Sequence, residues 1–226
     1  MKILIVKLGS IGDIIHTLPA LAAIRRNFPE AEISWAVEAR SAEILRGNKL
    51  IDNLIEVDTR SLRGGKIIEE ILLDATRQIK SLRKFKFDIA LDFQGLLKSA
   101  TIAKLSKAKR RTGFDKANLR EPASRFLLTE TVEVPGQIHI IRKNLALAEK
   151  ALNFSVPTES FDFPVFTETE HKHEAAQIIE RTGENFVILN PAGGWITKLW
   201  HAEKFGILAD KIWEEKGLIS IVATAP

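Results

Sequence analysis

The chain has 226 residues, 45% hydrophobic and 27% charged, with a formal net charge of +4 and no cysteine. These figures exclude a largely disordered chain, a disulfide-stapled fold and a thiolate metal site, and they fit one large or two modest globular domains. A charge of +4 does not mark a nucleic-acid binder, and no nucleic-acid partner is expected.

The chain opens with KILIVKLGSIGD, which is too short and too polar after Val6 for a signal peptide or a membrane span. No other segment is long enough to cross a bilayer, so a cytosolic or membrane-surface protein is expected. Lys2 to Lys7 is a short apolar run of the kind that forms a strand buried on both faces. A glycine-punctuated turn, Leu8 to Gly12, follows it. A helix is predicted from about Asp13, with Ile14, Leu18, Leu21 and Ile24 on one face and a break near Pro19. Further on, Ile33–Val37 reads as a strand, Ser41–Arg46 as a helix, Leu54–Val57 as a strand and Ile67–Lys84 as a long amphipathic helix. Phe87–Asp92 reads as a strand, Leu96–Leu105 as a helix and Ile138–Leu152 as a closing helix.

Strand and helix in alternation imply a parallel sheet covered on both faces, an α/β architecture. Asn153–Phe166 has two prolines and no period, and reads as a linker. The alternation then restarts with helix Glu168–Arg181, strand Phe186–Asn190, a Gly-rich turn, helix Ala202–Glu215 and strand Leu218–Ala223. The expected domains are 1–157 and 158–226. Two strands and two helices cannot bury a doubly wound sheet, so the second domain is expected to be incomplete.

Three strand-to-helix turns could carry chemistry. In KLGSIGD, Gly9 and Gly12 allow a tight turn and let a ligand approach the backbone, and the following helix start favours an anion. The spacing is neither that of a dinucleotide-binding fingerprint nor that of a Walker A loop. Asp13 can be read as a helix cap. It can also be read as a carboxylate at the end of the first strand, able to take a proton from an acceptor hydroxyl. His16, one turn on, could assist or could simply be partly buried. DFQGLLKSA offers Gln94, Gly95, Lys98 and Ser99 for the same cleft, with capping by Asp92 as the plainer role. In NPAGGWITKLW, Gly193 and Gly194 can expose amides to a phosphate, Thr197 can add a hydroxyl and Lys198 a point charge. Basic runs at Arg60–Lys66, Arg77–Lys86, Lys98–Arg111 and Arg120–Arg125 fit either solvated surfaces or an anionic partner. His171 and His173 are two apart with no third ligand in view, so no metal site is expected.

The opening block KILIVKLGSIGDIIHTLPAL, the ISWAVE strand, DFQGLLKSA, LREPAS (Leu119–Ser124) and NPAGGWITKLWHAEKF, in this order, resemble glycosyltransferase family 9. Within it they are most similar to the lipopolysaccharide heptosyltransferases that act on Kdo. The resemblance implies a GT-B fold of two Rossmann-like domains, the first for the acceptor and the second for the ADP-sugar. It implies inverting transfer of L-glycero-D-manno-heptose from ADP-heptose to the Kdo of lipid A. No cofactor and no strictly required metal accompany that reaction. Peripheral attachment to the cytoplasmic face of the inner membrane is implied as well.

By position, the family's catalytic aspartate falls on Asp13, its diphosphate lysine on Lys198 and an acceptor-facing arginine on Arg120. Arg60, Arg63 and Lys66 resemble its acceptor-phosphate and Kdo contacts, and Gly12, Gln94 and Lys98 are expected on the acceptor side. The family's Asp-Thr-Gly segment and its histidine have no match here, so these residues alone are expected to bind donor poorly. Ala192 to Trp195 stand where some members have hydroxyl residues. Two other readings stay open. One is a family 9 transferase for another sugar or a heptose-terminated acceptor. The other is a non-catalytic module that binds an anionic glycolipid or a nucleotide.

Overall fold

A computed structural model describes residues 1–57, 82–135, 137–156, 161–191 and 199–223. They form two compact units, Met1–Phe166 and Thr167–Pro226.

In the first unit the hydrophobic runs become parallel strands. These are β1 (Lys2–Val6), β2 (Glu32–Glu38), β3 (Asn53–Val57), β4 (Ile89–Asp92), β5 (Arg110–Phe114) and β6 (Glu130–Val132). Their order across the sheet is β3-β2-β1-β4-β5-β6, with every pairing parallel. The chain therefore starts in the middle of the sheet, builds outward to one edge and then returns to build the other half. That reversal puts the topological switch point between β1 and β4.

Side chains alternate across β1 and divide between two cores. Ile3 and Ile5 join α2 (Leu18–Asn27) and α4 (Ile140–Leu152) on one face, whereas Leu4 and Val6 join Ile102 and Ala103 of α3 (Leu97–Leu105) on the other. The short helix α1 (Ile11–Ile15) precedes α2, and Pro19 lies in the first turn of α2, where its missing N–H costs nothing. Ile14, Leu18, Leu21 and Ile24 are all fully buried, as their spacing predicts. At the far end of α2 the Arg25 guanidinium donates to the carbonyls of Leu50, Pro29 and Ala31 and to Asp52. It thereby fastens the helix to the entrances of β2 and β3.

The structure departs from the sequence reading at four places. Ser41–Arg46 is not an α-helix but part of two 3₁₀ turns, Ala39–Ser41 and Glu43–Leu45. The connection ends at Gly47 (φ +66°) and is too short to propagate a helix. β5 and β6 were not expected. β5 opens on two arginines and carries a glycine, and its guanidinium groups are satisfied at the edge by Glu130 and by the Ala151 and Leu127 carbonyls. β6 is only three residues long. The division between units falls after Phe166, later than 157, because Phe154, Val156 and Phe161 pack against the first core. Finally, Asp13 is not the N-cap residue: Ser10 holds that position, and Asp13, three residues into the first turn, closes a capping box by accepting the Ser10 N–H. The predicted helix Ile67–Lys84 lies outside the described residues except for helical residues 82–84.

The second unit has parallel strands β7 (Phe186–Leu189) and β8 (Ile219–Val222) with helices α5 (Thr169–Thr182) and α6 (Ala202–Lys216). Leu189 is its one buried hydrophobic residue among those described, and Ile188, Ile207, Trp213 and Val222 are more than half exposed.

Leu145, on the face of α4 turned to the first core, is 2% exposed. Leu145→Ala should destabilise the first unit by about 2–5 kcal/mol, measured by chemical denaturation.

Candidate active site at the switch point

The carboxyl ends of β1 and β4 are bound to each other by side chains rather than by strand pairing alone. Lys7, only 3% exposed, extends its ammonium to the carbonyl of Phe93 at 2.9 Å. In return the Leu8 N–H donates to Gln94 Oε1 at 3.2 Å. The Trp35 indole N–H donates to the Lys7 carbonyl at 3.0 Å, which ties in β2 as well. Asp92, with no solvent exposure, folds its own loop: Oδ1 accepts the N–H groups of Gln94 (2.9 Å) and Gly95 (3.2 Å), and Oδ2 accepts the Ser99 hydroxyl (3.1 Å).

Gly95 is in the left-handed region (φ +68°), and a Cβ there would lie 3.3 Å from Leu119 Cδ2 and 3.6 Å from the Arg120 nitrogen. Glycine thus lets the Leu119–Glu121 segment lie directly on the β4 loop. Two hydrogen bonds hold it there, Glu121 N–H to the Gly95 carbonyl (3.2 Å) and Leu97 N–H to Glu121 Oε2 (2.6 Å).

Around this framework the charges balance locally. Burial lowers the Lys7 pKa, the carboxylates of Asp13 and Asp92 oppose that shift, and Arg120 adds to it. Asp13, Asp92 and Arg120 therefore each lie within electrostatic reach of Lys7. Burial pushes the Asp92 carboxyl up to about 6, against the pull of the N–H groups of Gln94 and Gly95, the Ser99 hydroxyl and the Lys7 charge.

The residues singled out from the sequence separate into two groups. Gln94 and Lys98 are braces. Gln94 is spent on Leu8, and the Lys98 ammonium pairs at 2.6 Å with Glu38, a 7% exposed carboxylate that also holds Arg40. Gly12, Asp13 and Arg120 face outward. Gly12 is exposed with open space where a Cβ would stand, Asp13 is half-buried, and Arg120 is exposed without an ion-pair partner among the described residues. The Asp13 carboxylate accepts one long bond, 3.3 Å, from the Ser10 N–H. Its backbone carbonyl accepts the Thr17 hydroxyl at 2.9 Å, and Thr17 accepts from Asn144 of α4, so the helix carrying Asp13 is fixed from behind. The His16 ring meets His139 edge-on at 5.7 Å.

Arg60, Arg63, Lys66, Gly193, Gly194, Thr197 and Lys198 lie outside the described residues. Lys7 was passed over because a lysine ending an apolar strand reads as a solvated terminus. The signal was its place directly before the glycine turn. Among the described residues no group of three or more His, Asp or Glu could hold a metal ion, and no helix is long and apolar enough to cross a membrane.

The fold defines a doubly wound α/β protein whose polar, glycine-lined loops gather at the switch point. Residues 75–225 match the sequence profile of glycosyltransferase family 9 (heptosyltransferase), and the chain belongs to that family. It is 31% identical over 217 residues to lipopolysaccharide heptosyltransferase 1 of Pseudomonas aeruginosa, covering 95% of this chain and 58% of that protein. To the Escherichia coli K12 heptosyltransferase 1 it is 28% identical over 214 residues, covering 93% of this chain and 65% of that protein. The chain thus spans less than two thirds of the length of these relatives. Among solved structures, E. coli heptosyltransferase WaaC with ADP-2-deoxy-2-fluoro heptose superposes with a TM-score of 0.84 at 26% identity, covering all of this chain and 70% of that one. These neighbours are heptosyltransferases of the GT-B type.

The raised Asp92 pKa has a consequence for stability. Its folded-state value, about 6, exceeds the ordinary 3.8, so the native state holds this proton more tightly than the unfolded chain. Stability from this group is complete below about pH 4 and is lost as pH rises through 6. Asp92→Asn, which preserves the acceptor for Gln94 and Gly95, should remove that decline. The wild type should lose on the order of 1–3 kcal/mol relative to the variant between pH 4 and 7, read from urea denaturation at each pH.

Proposed function

We propose that the full-length protein transfers L-glycero-D-manno-heptose from ADP-heptose to the Kdo of lipid A, with inversion, and that Asp13 is the general base. The observation that carries this reading is the setting of Asp13. It is a half-buried carboxylate in the turn after β1, at the switch point, within electrostatic reach of Lys7. Membership of family 9 and likeness to a neighbour bound to an ADP-heptose analogue support the choice of donor.

The chemistry follows from charge movement. As the acceptor oxygen attacks the anomeric carbon it must lose its proton, and the carboxylate of Asp13 can take it. The sugar passes through an oxocarbenium-like state while negative charge builds on the departing ADP. Lys198, with the amides of Gly193 and Gly194 and the hydroxyl of Thr197, is assigned to that diphosphate by resemblance. Stabilisation that grows as the bond breaks lowers the barrier rather than merely tightening binding. Arg120 suits an anionic acceptor, because it is exposed and its charge is not spent on a carboxylate of its own among the described residues. Gly12 leaves open space beside Asp13 for the acceptor to enter. Arg60, Arg63 and Lys66 are proposed as further acceptor contacts. No metal is required in this scheme, and the enzyme is placed on the cytoplasmic face of the inner membrane, where its acceptor lies.

ADP release by the full-length protein, with ADP-heptose and Kdo-lipid A supplied together and separately, tests the reading. Release should require both. Asp13→Ala should lower turnover about 10²–10⁴-fold with donor binding retained, and wild-type turnover in that variant would end the assignment. A heptose-terminated acceptor preferred over Kdo-lipid A would transfer the assignment to another acceptor specificity within the family. Arg120→Ala should raise KM for the acceptor while leaving that for ADP-heptose unchanged.

A further inference from the structure

Two fully buried polar side chains stand behind Asp13, and their bonds leave the helices that carry them. Thr17 occupies the N-cap position of α2, where a threonine hydroxyl ordinarily accepts an N–H of the helix it starts. Here it makes no such bond. Its hydroxyl turns back and donates to the Asp13 carbonyl at 2.9 Å. Asn144, within α4, is as completely buried as Thr17. Its Nδ2 donates to the Thr17 hydroxyl at 3.1 Å and to the His16 carbonyl at 3.0 Å.

A backbone carbonyl can only accept, so the amide nitrogen of Asn144 must face α1 and its oxygen must face away. That oxygen is buried without a hydrogen-bond partner among the described residues. A buried acceptor left unmade lowers stability, and a leucine of similar size would remove that penalty. Asn144 is therefore a poor choice for the core alone. What it supplies is a polar link running from amide to hydroxyl to the carbonyl of Asp13.

Helix α1 depends on outside support. It has five residues, too few to hold a helix unaided, and Ile14 is its one buried residue. A single apolar anchor lets a one-turn helix pivot. Asn144 and Thr17 add attachments at the Asp13 carbonyl and at His16, the C-cap of α1. The His16 ring also meets His139, the N-cap of α4, edge-on. The long helix α4, with Leu145, Leu147, Ala148 and Ala151 in the first core, thus sets where α1 lies.

We propose that Asn144 and Thr17 are positioning residues for Asp13, which fix the short helix so that its carboxylate meets the acceptor hydroxyl. This rests on the reading of Asp13 as the general base. Misplacement of a reacting group by about 1 Å can lower a rate about 10²-fold. Losing the link should therefore act on kcat and spare substrate binding.

The test is turnover of ADP-heptose and Kdo-lipid A by the full-length protein. Thr17→Val, which exchanges the hydroxyl for a methyl, should lower kcat about tenfold and leave both KM values within about twofold. Thr17→Ser should recover most of that loss. Asn144→Leu should also lower kcat about tenfold. Added to Asp13→Ala, Thr17→Val should leave the residual turnover unchanged, because no carboxylate remains to be placed. A further drop of about tenfold in that background would mark Thr17 as a general support and overturn the proposal. Amide exchange in Thr17→Val should quicken in residues 11–16 and stay as in the wild type in β1 and β4. Faster exchange in every element would likewise overturn it. Wild-type kcat in Thr17→Val and Asn144→Leu, with Asp13→Ala impaired, sinks the positioning role and leaves the base assignment standing. Wild-type turnover in Asp13→Ala ends the base assignment and the positioning role with it.

Discussion

The buried contact between Lys7 and the Phe93 carbonyl holds two loops in register at the one place where the sheet reverses direction. A lysine that is 3% exposed is costly, since its charge leaves water and gains one short hydrogen bond and the field of two carboxylates in return. A methionine of similar volume would fill the space without that cost. The lysine does what an apolar residue cannot: it couples the end of β1 to the end of β4 while placing a positive charge beneath the turn that carries Asp13. Gln94 repeats the coupling in the opposite direction, and Asp92 keeps the β4 loop folded around it. Charged and polar groups that would weaken an ordinary core are concentrated here, where a rigid polar floor is what a reacting site needs.

This division of labour gives the family motifs a physical meaning. In DFQGLLKSA the aspartate and serine close the loop, the glutamine crosses to the first strand, and the lysine reaches Glu38 at the end of β2. Each of these side chains is spent on fixing the position of a neighbour. The glycine of the same motif admits the Arg120 segment, which the Glu121 N–H fastens to the glycine's carbonyl. Rigidity at the floor and exposed charge at the rim come from adjacent residues of one short stretch.

Much of the fold could be read from periodicity because it is driven by burial. The apolar run of β1, the i, i+4, i+7 spacing of Ile14, Leu18 and Leu21, and the long amphipathic pattern of α4 all report a face turned to a core. β5 escaped because its opening arginines are satisfied by tertiary partners, Glu130 and carbonyl groups of distant segments, which leave no local pattern. The 3₁₀ turns after β2 escaped for a related reason, since Ser41–Arg46 has helix-forming residues but too few of them. At the site, Asp13 was marked by a glycine turn at a strand end, whereas Arg120 was named only through the family resemblance, and the ligand roles of both belong to the proposal. The bracing roles of Gln94 and Lys98, and the part played by Lys7, were not. Those depend on residues 86, 60 and 86 positions apart in the chain, and only the folded sheet brings them together.

On the proposed function, the turns after β1 and β4, with the Arg120 segment fastened to them, form one ligand-binding surface. Amide hydrogen exchange of the full-length protein, with and without a Kdo-bearing acceptor, tests it most directly. Acceptor should slow exchange together in residues 8–13, 94–97 and 119–121, and leave the opposite, amino-terminal edge of the sheet unchanged. Slowing confined to other regions, with these three segments unaffected, would contradict it.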